Sequence, residues 1–335
     1  MELSWKTKGI VLTAPLTGEV DDVVKFIDEF LAKRGYNMLV LQTRYRYQFK
    51  SHPEVRGYDA LSYEDVKKLL RVCQKNNIKL VPKMNLLGHQ SGNHNTPSDG
   101  ILHGHNVEDI DTPDALLSAY PEFDEQKGQE KIYYARSICP SNDRARAVIC
   151  DLMDELMDVF ESDTIHIGCD EAFNMAICPE CAKKSKAEIF ATWINSLNDH
   201  VRAHGGKVLM WGDRLISTKG LPYHGWEADD SDSYGAIDTV SRDIIICDWH
   251  YDKYDEYKSI DIFADAGFKI MVSPWRNKSA LDSFIEYAKL HDKGHIVGFL
   301  MTTWCGSGDL AKRILYGEDG KWQHTNEIAT TLLEI

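Results

Sequence analysis

The sequence predicts a (β/α)8 barrel that forms one domain over residues 1–335, and three observations support this fold class. Short apolar, β-branched runs alternate with stretches of helical period along the whole chain. Eight such runs occur, and eight parallel βα units close into a barrel. No Pro/Gly/Ser linker or low-complexity segment divides the chain. An open doubly wound sheet is the alternative, and the regular eightfold alternation disfavours it.

The predicted elements follow one another in a regular order. The strands are expected at residues 9–14, 38–43, 79–84, 164–168, 207–211, 243–248, 269–273 and 296–302. Helical patterns lie between them, among others at residues 20–34, 62–76, 144–160, 187–204 and 279–291. A polar, glycine-rich insert at about 87–142 separates strands three and four. Inserts of that size usually shape the active-site face of a barrel.

Composition restricts the classes of partner and the compartment. The formal net charge of −14 disfavours nucleic acid or an anionic membrane surface as a partner. We expect no membrane span and no signal peptide, because neither an 18-residue apolar run nor a basic N-terminal segment leading into apolar sequence occurs. The eight cysteines fall mostly within predicted strands or helices, which predicts buried, reduced thiols in a cytoplasmic protein. The oligomeric state stays open, with a homodimer among the alternatives.

Four tryptophans mark the ends of the last four predicted strands. They are Trp211, Trp249, Trp275 and Trp304. In a barrel of this class the chemistry lies at the C-terminal ends of the strands. A single tryptophan is more often a core residue than a ligand platform, but four at one rim favour a ligand. Because the apolar face of a sugar stacks on indole rings while its hydroxyls bond to acids, the pattern indicates a carbohydrate site.

Two adjacent carboxylates, Asp170 and Glu171, follow the fourth strand directly. A solvated acidic rim or a metal site are the alternatives to a catalytic pair. Burial and the neighbouring like charge would raise the pKa of one carboxyl, as a general acid for glycosidic cleavage requires. Gly168, at the end of the strand, would let a ligand approach closely. However, adjacent residues cannot flank a glycosidic bond from both sides, which most glycosidases require.

Residues 166–171, which read His-Ile-Gly-Cys-Asp-Glu, resemble the His-x-Gly-x-Asp-Glu signature of glycoside hydrolase family 20, the β-N-acetylhexosaminidases. Residues 87–89, 138–142 and 208–215 are similar to further segments of that family, and the chain looks closest to its hexosaminidase D-like branch. The resemblance implies a retaining mechanism in which the 2-acetamido oxygen of the substrate attacks C1 and forms an oxazolinium ion. No enzymatic nucleophile is then needed.

The resemblance also implies roles for single residues. Glu171 would act as the acid and base, and Asp170 would hold the acetamide N–H. Tyr251, with Tyr254 as second choice, would hold the acetamide oxygen. The remaining predicted substrate-binding residues are His89, His166, Trp211, Asp213, Trp249, Asp252, Trp275, Trp304 and Arg44. The two histidines are equally well explained as core residues.

Two departures from the family pattern leave recognition of the sugar hydroxyls open. Residues 9–15 lack the arginine that often ends strand one, and Arg44 or Arg46 could replace it. Gly306 stands where many members have a glutamate two residues after the strand-eight tryptophan. The expected substrate is therefore a glycan with a terminal β-linked N-acetylhexosamine, without a choice between GlcNAc and GalNAc.

Competing interpretations concern a metal site and two rival functions. Residues 178–181, Cys-Pro-Glu-Cys, have the spacing of half a zinc site, which His200 and His204 could complete. One such pair is a weak indication, so we predict neither a metal nor a cofactor. A metal-dependent sugar isomerase using Asp170, Glu171, Asp213 and histidines is the main rival function. A carbohydrate-binding protein without catalysis is the other.

Overall fold

A computed structural model describes residues 5–91, 113–129 and 132–335. Its eight strands form a closed, parallel barrel in chain order, so the predicted fold class is confirmed. The strands are β1 Thr7–Thr13, β2 Met38–Gln42, β3 Lys79–Lys83, β4 Thr164–His166, β5 Lys207–Trp211, β6 Ile245–Trp249, β7 Lys269–Ser273 and β8 Ile296–Met301. All eight overlap the predicted runs.

The described helices lie around the outside of the barrel or in the insert at its mouth. They are α1 Val20–Phe26, α2 Tyr63–Lys75, α3 Ala115–Ala119, α4 Asp143–Val159, α5 Lys186–Ala203, α6 Lys258–Asp265, α7 Lys278–Leu290, α8 Ser307–Tyr316 and α9 Gln323–Glu334. The predicted helix 20–34 is one continuous element whose second half departs from α geometry, with a π turn at Ile27–Leu31 and a 3-10 turn at Ala32–Arg34. In the described part of the chain, no helix is long and apolar enough to cross a membrane.

Alternation along the strands divides the apolar residues into two cores. One set faces the helices, and the other fills the barrel interior. The interior set is Val11, Val40, Val81, Leu209, Trp211, Cys247, Trp249, Met271 and Leu300. Trp211 and Trp249 occupy the last positions of β5 and β6, so their indoles lie at the C-terminal mouth of the barrel.

The insert between β3 and β4 builds one side of that mouth. Its residues 92–112 and 130–131 lie outside the described residues. The described part contains α3, the 3-10 turn Pro121–Phe123 and an antiparallel bridge between Asp124 and Ile138. The Ile138 N–H donates to the Leu87 carbonyl at 2.9 Å. The insert is thereby tied to the chain that leaves β3.

Candidate active site

The predicted catalytic pair lies at the mouth of the barrel, where the chain turns sharply after β4. Cys169 and Glu171 both adopt left-handed backbone angles, with φ of 66° and 48°. Such angles are unfavourable for residues with a side chain and persist only where surrounding contacts enforce them. One enforcing contact is the hydrogen bond that the Glu171 N–H donates to Asp213 Oδ2 at 2.9 Å. The turn places both carboxyl groups on one side of the mouth.

Gly168 serves this turn in a way that the sequence analysis did not predict. Its φ is +69°, and an added Cβ would lie 2.5 Å from Asn85 Oδ1 and 2.9 Å from the Met84 carbonyl oxygen. The close approach is therefore made by the chain leaving β3 and not by a ligand. We correct the earlier interpretation accordingly: the glycine permits the turn and the packing of two strand ends.

Asp170 is surrounded by positive groups. His89 Nε2 lies 3.1 Å from Asp170 Oδ2 and 3.5 Å from Glu171 Oε2. Burial alone would raise the pKa of Asp170, but the charge and hydrogen bond of His89 and the charge of Lys83 outweigh it and hold that pKa below its usual range. The other oxygen, Oδ1, is buried and has no hydrogen-bond partner among the described residues. Asp170 is thus an ionised acceptor whose Oδ1 has no partner among the described residues.

Glu171 shows the opposite perturbation. Burial raises its pKa to about 7, helped by the negative charges of Asp170 and Asp213 and opposed by His89 and a hydrogen bond from Tyr134. Two adjacent carboxyl groups are therefore driven to different protonation states near neutral pH. This separation is what acid–base catalysis by one carboxyl and charge stabilisation by the other require.

Beneath the pair lies a polar layer inside the barrel. His166 is fully buried, its Nδ1 accepts a hydrogen bond from the Gly168 N–H at 3.0 Å, and its ring packs 4.4 Å from that of Trp211. Burial and the nearby Lys83 lower the pKa of His166 well below its usual value, so its imidazole is neutral. Lys83 donates to Gln42 Oε1 at 2.5 Å and to Asn85 Oδ1 at 2.7 Å. His166 supports the pair from below.

Tyr251 lies in the middle of the aromatic side of the mouth. Its hydroxyl oxygen accepts a hydrogen bond from Trp304 Nε1 at 2.6 Å, and the hydroxyl also lies within hydrogen-bonding reach of the Thr302 side chain. Trp249 and Trp275 flank the tyrosine ring, with centroid distances of 4.7 and 5.1 Å. Burial raises the pKa of Tyr251 well above 10, and the negative charge of nearby Glu171 raises that pKa further. The phenol therefore remains a donor.

Three of the four indoles are anchored by a hydrogen bond from Nε1, whereas Trp211 Nε1 is buried without a partner among the described residues. Trp249 Nε1 donates to Asp213 Oδ1 at 3.1 Å, and Trp275 Nε1 donates to the Thr303 carbonyl at 3.0 Å. The rings of Trp211 and Trp304 lie 5.7 Å apart, edge to face. The structure thus brings together all four predicted tryptophans, and they form a wall of aromatic rings next to the carboxyl pair.

Three of the predicted substrate-binding residues lie in surroundings that differ from those expected of a sugar-binding residue. Arg44 is buried, donates to the His89 carbonyl at 2.7 Å and pairs with Asp114 of the insert. Asp213 binds backbone and indole N–H groups and the Arg214 guanidinium. Asp252 is 69% exposed at the outer rim, 3.7 Å from His224. We therefore reassign Arg44 and Asp213 to positioning roles, because their polar atoms already bind protein groups.

Arg46, the other replacement considered for the strand-one arginine, is also engaged by the protein. Its guanidinium donates to the carbonyls of Ala14 and Pro15 at 2.8 and 2.9 Å. These contacts hold the end of β1 against the chain that leaves β2. Neither arginine is therefore assigned to the sugar hydroxyls.

Comparison with known proteins agrees with this geometry. The model of the glycosyl hydrolase family 20 catalytic domain matches residues 31–305, which is most of the chain. The chain belongs to glycosyl hydrolase family 20. The match covers β2 to the end of β8, and so includes both carboxyl groups of the pair, the residues around them and the four tryptophans.

Individual members of family 20 resemble the chain at low sequence identity. Lacto-N-biosidase of Bifidobacterium bifidum is 21% identical over 234 residues, which cover 65% of this chain and 18% of that protein. The solved β-N-acetylhexosaminidase of Bacteroides fragilis (TM-score 0.64, 15% identity) is matched over 98% of this chain and 65% of its own. The chitobiase of Flavobacterium johnsoniae (0.65, 18%) is matched over 98% and 48%. The chain thus spans less than two thirds of each of these relatives.

Three residues of this family 20 site were not singled out in the sequence. Lys83 ends an apolar strand, and a charge at that position was a usable indication of a buried polar layer. Tyr134, which bonds to Glu171, lies in the irregular insert, where no periodicity reveals it. Glu227 follows β5 and accepts the Tyr251 N–H at 3.0 Å. Only the folded chain brings the last two to the mouth.

Proposed function

We propose that the chain is a β-N-acetylhexosaminidase that removes terminal β-linked N-acetylhexosamine residues from glycans with retention of configuration. The observation that carries the proposal is the divergence of the two adjacent carboxyl groups. Asp170 is held ionised, with Oδ1 unpartnered among the described residues, whereas the pKa of Glu171 is raised to about 7. One acid and one charge-stabilising acceptor on the same side of the mouth suit a reaction whose nucleophile belongs to the substrate.

The proposed first step uses both carboxyl groups. Protonated Glu171 donates its proton to the glycosidic oxygen while the 2-acetamido oxygen attacks C1, so that the aglycone leaves and an oxazolinium ion forms. Asp170 Oδ1 accepts the acetamide N–H and stabilises the positive charge that develops on the amide. In the second step the Glu171 carboxylate takes a proton from water as that water attacks C1, and the bond between C1 and the acetamido oxygen breaks, which restores the acetamido group. Two inversions at C1 retain its configuration.

The aromatic wall supports the orientation of the acetamido group. Tyr251 can donate its proton to the acetamide oxygen, because the Trp304 indole already satisfies the hydroxyl as an acceptor. The flanking rings of Trp249 and Trp275 exclude water and provide an apolar surface for the methyl group. Oriented in this way, the nucleophile is held close to C1 before reaction.

Relatives support the substrate class. One solved relative is an exo-β-N-acetylglucosaminidase of Vibrio harveyi in complex with N-acetylglucosamine, with a TM-score of 0.63 and 16% identity over 99% of this chain and 58% of its own. GlcNAc and GalNAc are both proposed here as substrates. Membership of the hexosaminidase D-like branch stays a prediction.

Hydrolysis of nitrophenyl glycosides tests the proposal. We expect release of nitrophenol from the β-N-acetylglucosaminide or the β-N-acetylgalactosaminide, and inhibition by a thiazoline that mimics the oxazolinium ion. The plain β-glucoside is the matched control, since it lacks the acetamido nucleophile and should not be cleaved. Cleavage of the glucoside at a comparable rate would contradict the substrate-assisted mechanism.

A metal-dependent reaction is the second candidate, since His89, Asp170 and Glu171 bring ligand atoms within 4.8 Å of one another. This candidate predicts that the sugar is isomerised and that added divalent metal raises the rate. Full hydrolytic activity in the presence of a chelator would contradict it. A binding protein without catalysis predicts instead that the parent chain releases no nitrophenol, although it binds the sugar as tightly as the Glu171→Gln variant does.

A further inference from the structure

Four side chains with metal-binding atoms converge between two loops on the barrel. Cys139 lies at the end of the insert, Cys178 and Cys181 lie in the loop that follows β4, and Glu125 lies in the insert. One ligand atom from each lies within 4.8 Å of the other three. Cys139 Sγ is 3.5 Å from Cys178 Sγ and 3.7 Å from Cys181 Sγ. The cluster is largely buried and is separate from the carboxyl pair.

These separations fit metal thiolates. A tetrahedral zinc ion with bonds of about 2.3 Å to sulfur places its sulfur ligands about 3.8 Å apart. The spacing is far from the sulfur–sulfur bond of a disulfide, about 2.05 Å. None of the eight cysteines is in a disulfide. With two sulfur separations near this distance and the third within 4.8 Å, the three thiols can occupy one face of a tetrahedral site.

Glu125 is placed as the fourth ligand. Its side chain is buried, and Oε1 accepts the N–H groups of Ile177 at 2.7 Å and Cys178 at 3.1 Å. The other oxygen, Oε2, is buried and has no hydrogen-bond partner among the described residues. The Cys139 side chain also hydrogen-bonds to this carboxylate, and a cation bound at the cluster would compensate its buried negative charge. The backbone N–H groups orient the carboxylate, as outer-sphere partners orient metal ligands.

Further contacts prepare the thiols for metal binding. The Cys181 N–H donates to Cys178 Sγ at 3.3 Å, and Cys181 Sγ lies 3.1 Å from Ser141 Oγ. The backbone N–H already donates to sulfur, and the Ser141 hydroxyl, which accepts from the Cys181 thiol in this structure, can donate to the thiolate once that proton is lost. The separation of these ligands along the chain explains why the sequence did not predict this site. Cys139 is distant in the chain from the pair 178–181, and His200 binds Asp154 instead.

We propose that Cys139, Cys178, Cys181 and Glu125 bind one structural zinc ion. Thiolates favour zinc among the common divalent ions, and four protein ligands leave no open position for catalysis. The ion would join the insert to the loop after β4, next to the hydrogen bond from Gln126 to the Asn174 carbonyl at 2.9 Å. These two segments carry Tyr134 and Glu171, so zinc would stabilise the frame of the catalytic acid.

Metal content of the full chain is the first test. We expect one zinc ion per chain after purification with zinc and reductant followed by dialysis, measured by plasma mass spectrometry. Replacing zinc by cobalt should produce a thiolate-to-cobalt charge-transfer absorption. Cys139→Ser and Cys178→Ser should lose both. Cys150→Ser, in α4 and outside the cluster, is the matched control and should retain both.

Two further measurements keep the proposal open to refutation if the serine variants do not fold. Glu125→Gln should keep the sulfur-to-cobalt absorption but release zinc faster to a chelator, and unchanged release would overturn its role as a ligand. Zinc removal should speed amide hydrogen exchange in 125–129 and 171–181 but not in α7. A parent chain that retains no zinc and gives no thiolate-to-cobalt absorption overturns the site, as does a disulfide between two of the three cysteines.

Discussion

Replacing Tyr251 by Phe removes one hydroxyl from the aromatic wall and leaves the ring. In the structure that hydroxyl accepts the Trp304 indole N–H at 2.6 Å. Its own proton would donate to the acetamido oxygen of the substrate. The donated hydrogen bond is proposed to orient the nucleophile. Because misplacement of a reacting group by about 1 Å costs about 100-fold in rate, we expect kcat to fall about 100-fold. This corresponds to about 2.7 kcal/mol.

Tyr254→Phe is the matched control. The Tyr254 hydroxyl donates to Glu227 Oε2 at 2.9 Å, so its loss removes a supporting contact and not the ligand's partner. We expect the control to change kcat by less than about fivefold, because this hydroxyl supports Glu227 and makes no proposed contact with the acetamido group. The assay is steady-state hydrolysis of a nitrophenyl β-N-acetylhexosaminide, with thermal unfolding of each variant measured alongside. An unchanged kcat in Tyr251→Phe, or an equal fall in both variants, would refute the assignment.

The remaining predictions concern protonation and the buried arginine. Because Glu171 must be protonated to act as an acid and its pKa is about 7, kcat/KM should fall as pH rises above about 7; Glu171→Gln should lower kcat about 100-fold to 10,000-fold. Lys83→Met removes a charge that lowers the pKa of Asp170, so the acidic limb of the profile should move to higher pH, as steady-state rates will show. Arg44→Met removes the guanidinium that pairs with buried Asp114 and should destabilise the fold by about 3–5 kcal/mol in urea unfolding.

Each of these three predictions has a control variant or a result that would contradict it. Lys79→Met removes the lysine at the opposite end of β3, which pairs with Asp163, and should leave the acidic limb in place. If both lysine variants shift the profile equally, the charge of Lys83 does not act on Asp170. A raised KM with unchanged stability in Arg44→Met would restore Arg44 as a sugar-binding residue. An activity that keeps rising above pH 8 would exclude Glu171 as the acid.

The barrel was predictable because its evidence is local. Eight apolar runs separated by helical periods are visible within short windows of sequence, and strand ends follow from those runs. The position of Asp170 and Glu171 followed from one such end, and the tryptophans from four others. The helix at 20–34 was also predicted, although its π turn was not. These properties depend on neighbours in the chain, and so the amino-acid sequence by itself determined them.

Contacts between distant segments were decided only by the tertiary structure. Sequence pattern could not show that Asp213 holds the Glu171 backbone, that Arg44 is bound by the insert, or that Gly168 packs against the end of β3. Nor could it bring Cys139 to the pair at 178–181. In each case a polar or small group meets a partner from another loop. Such pairings depend on where the closed barrel places its loop ends, and no periodicity in the sequence records that.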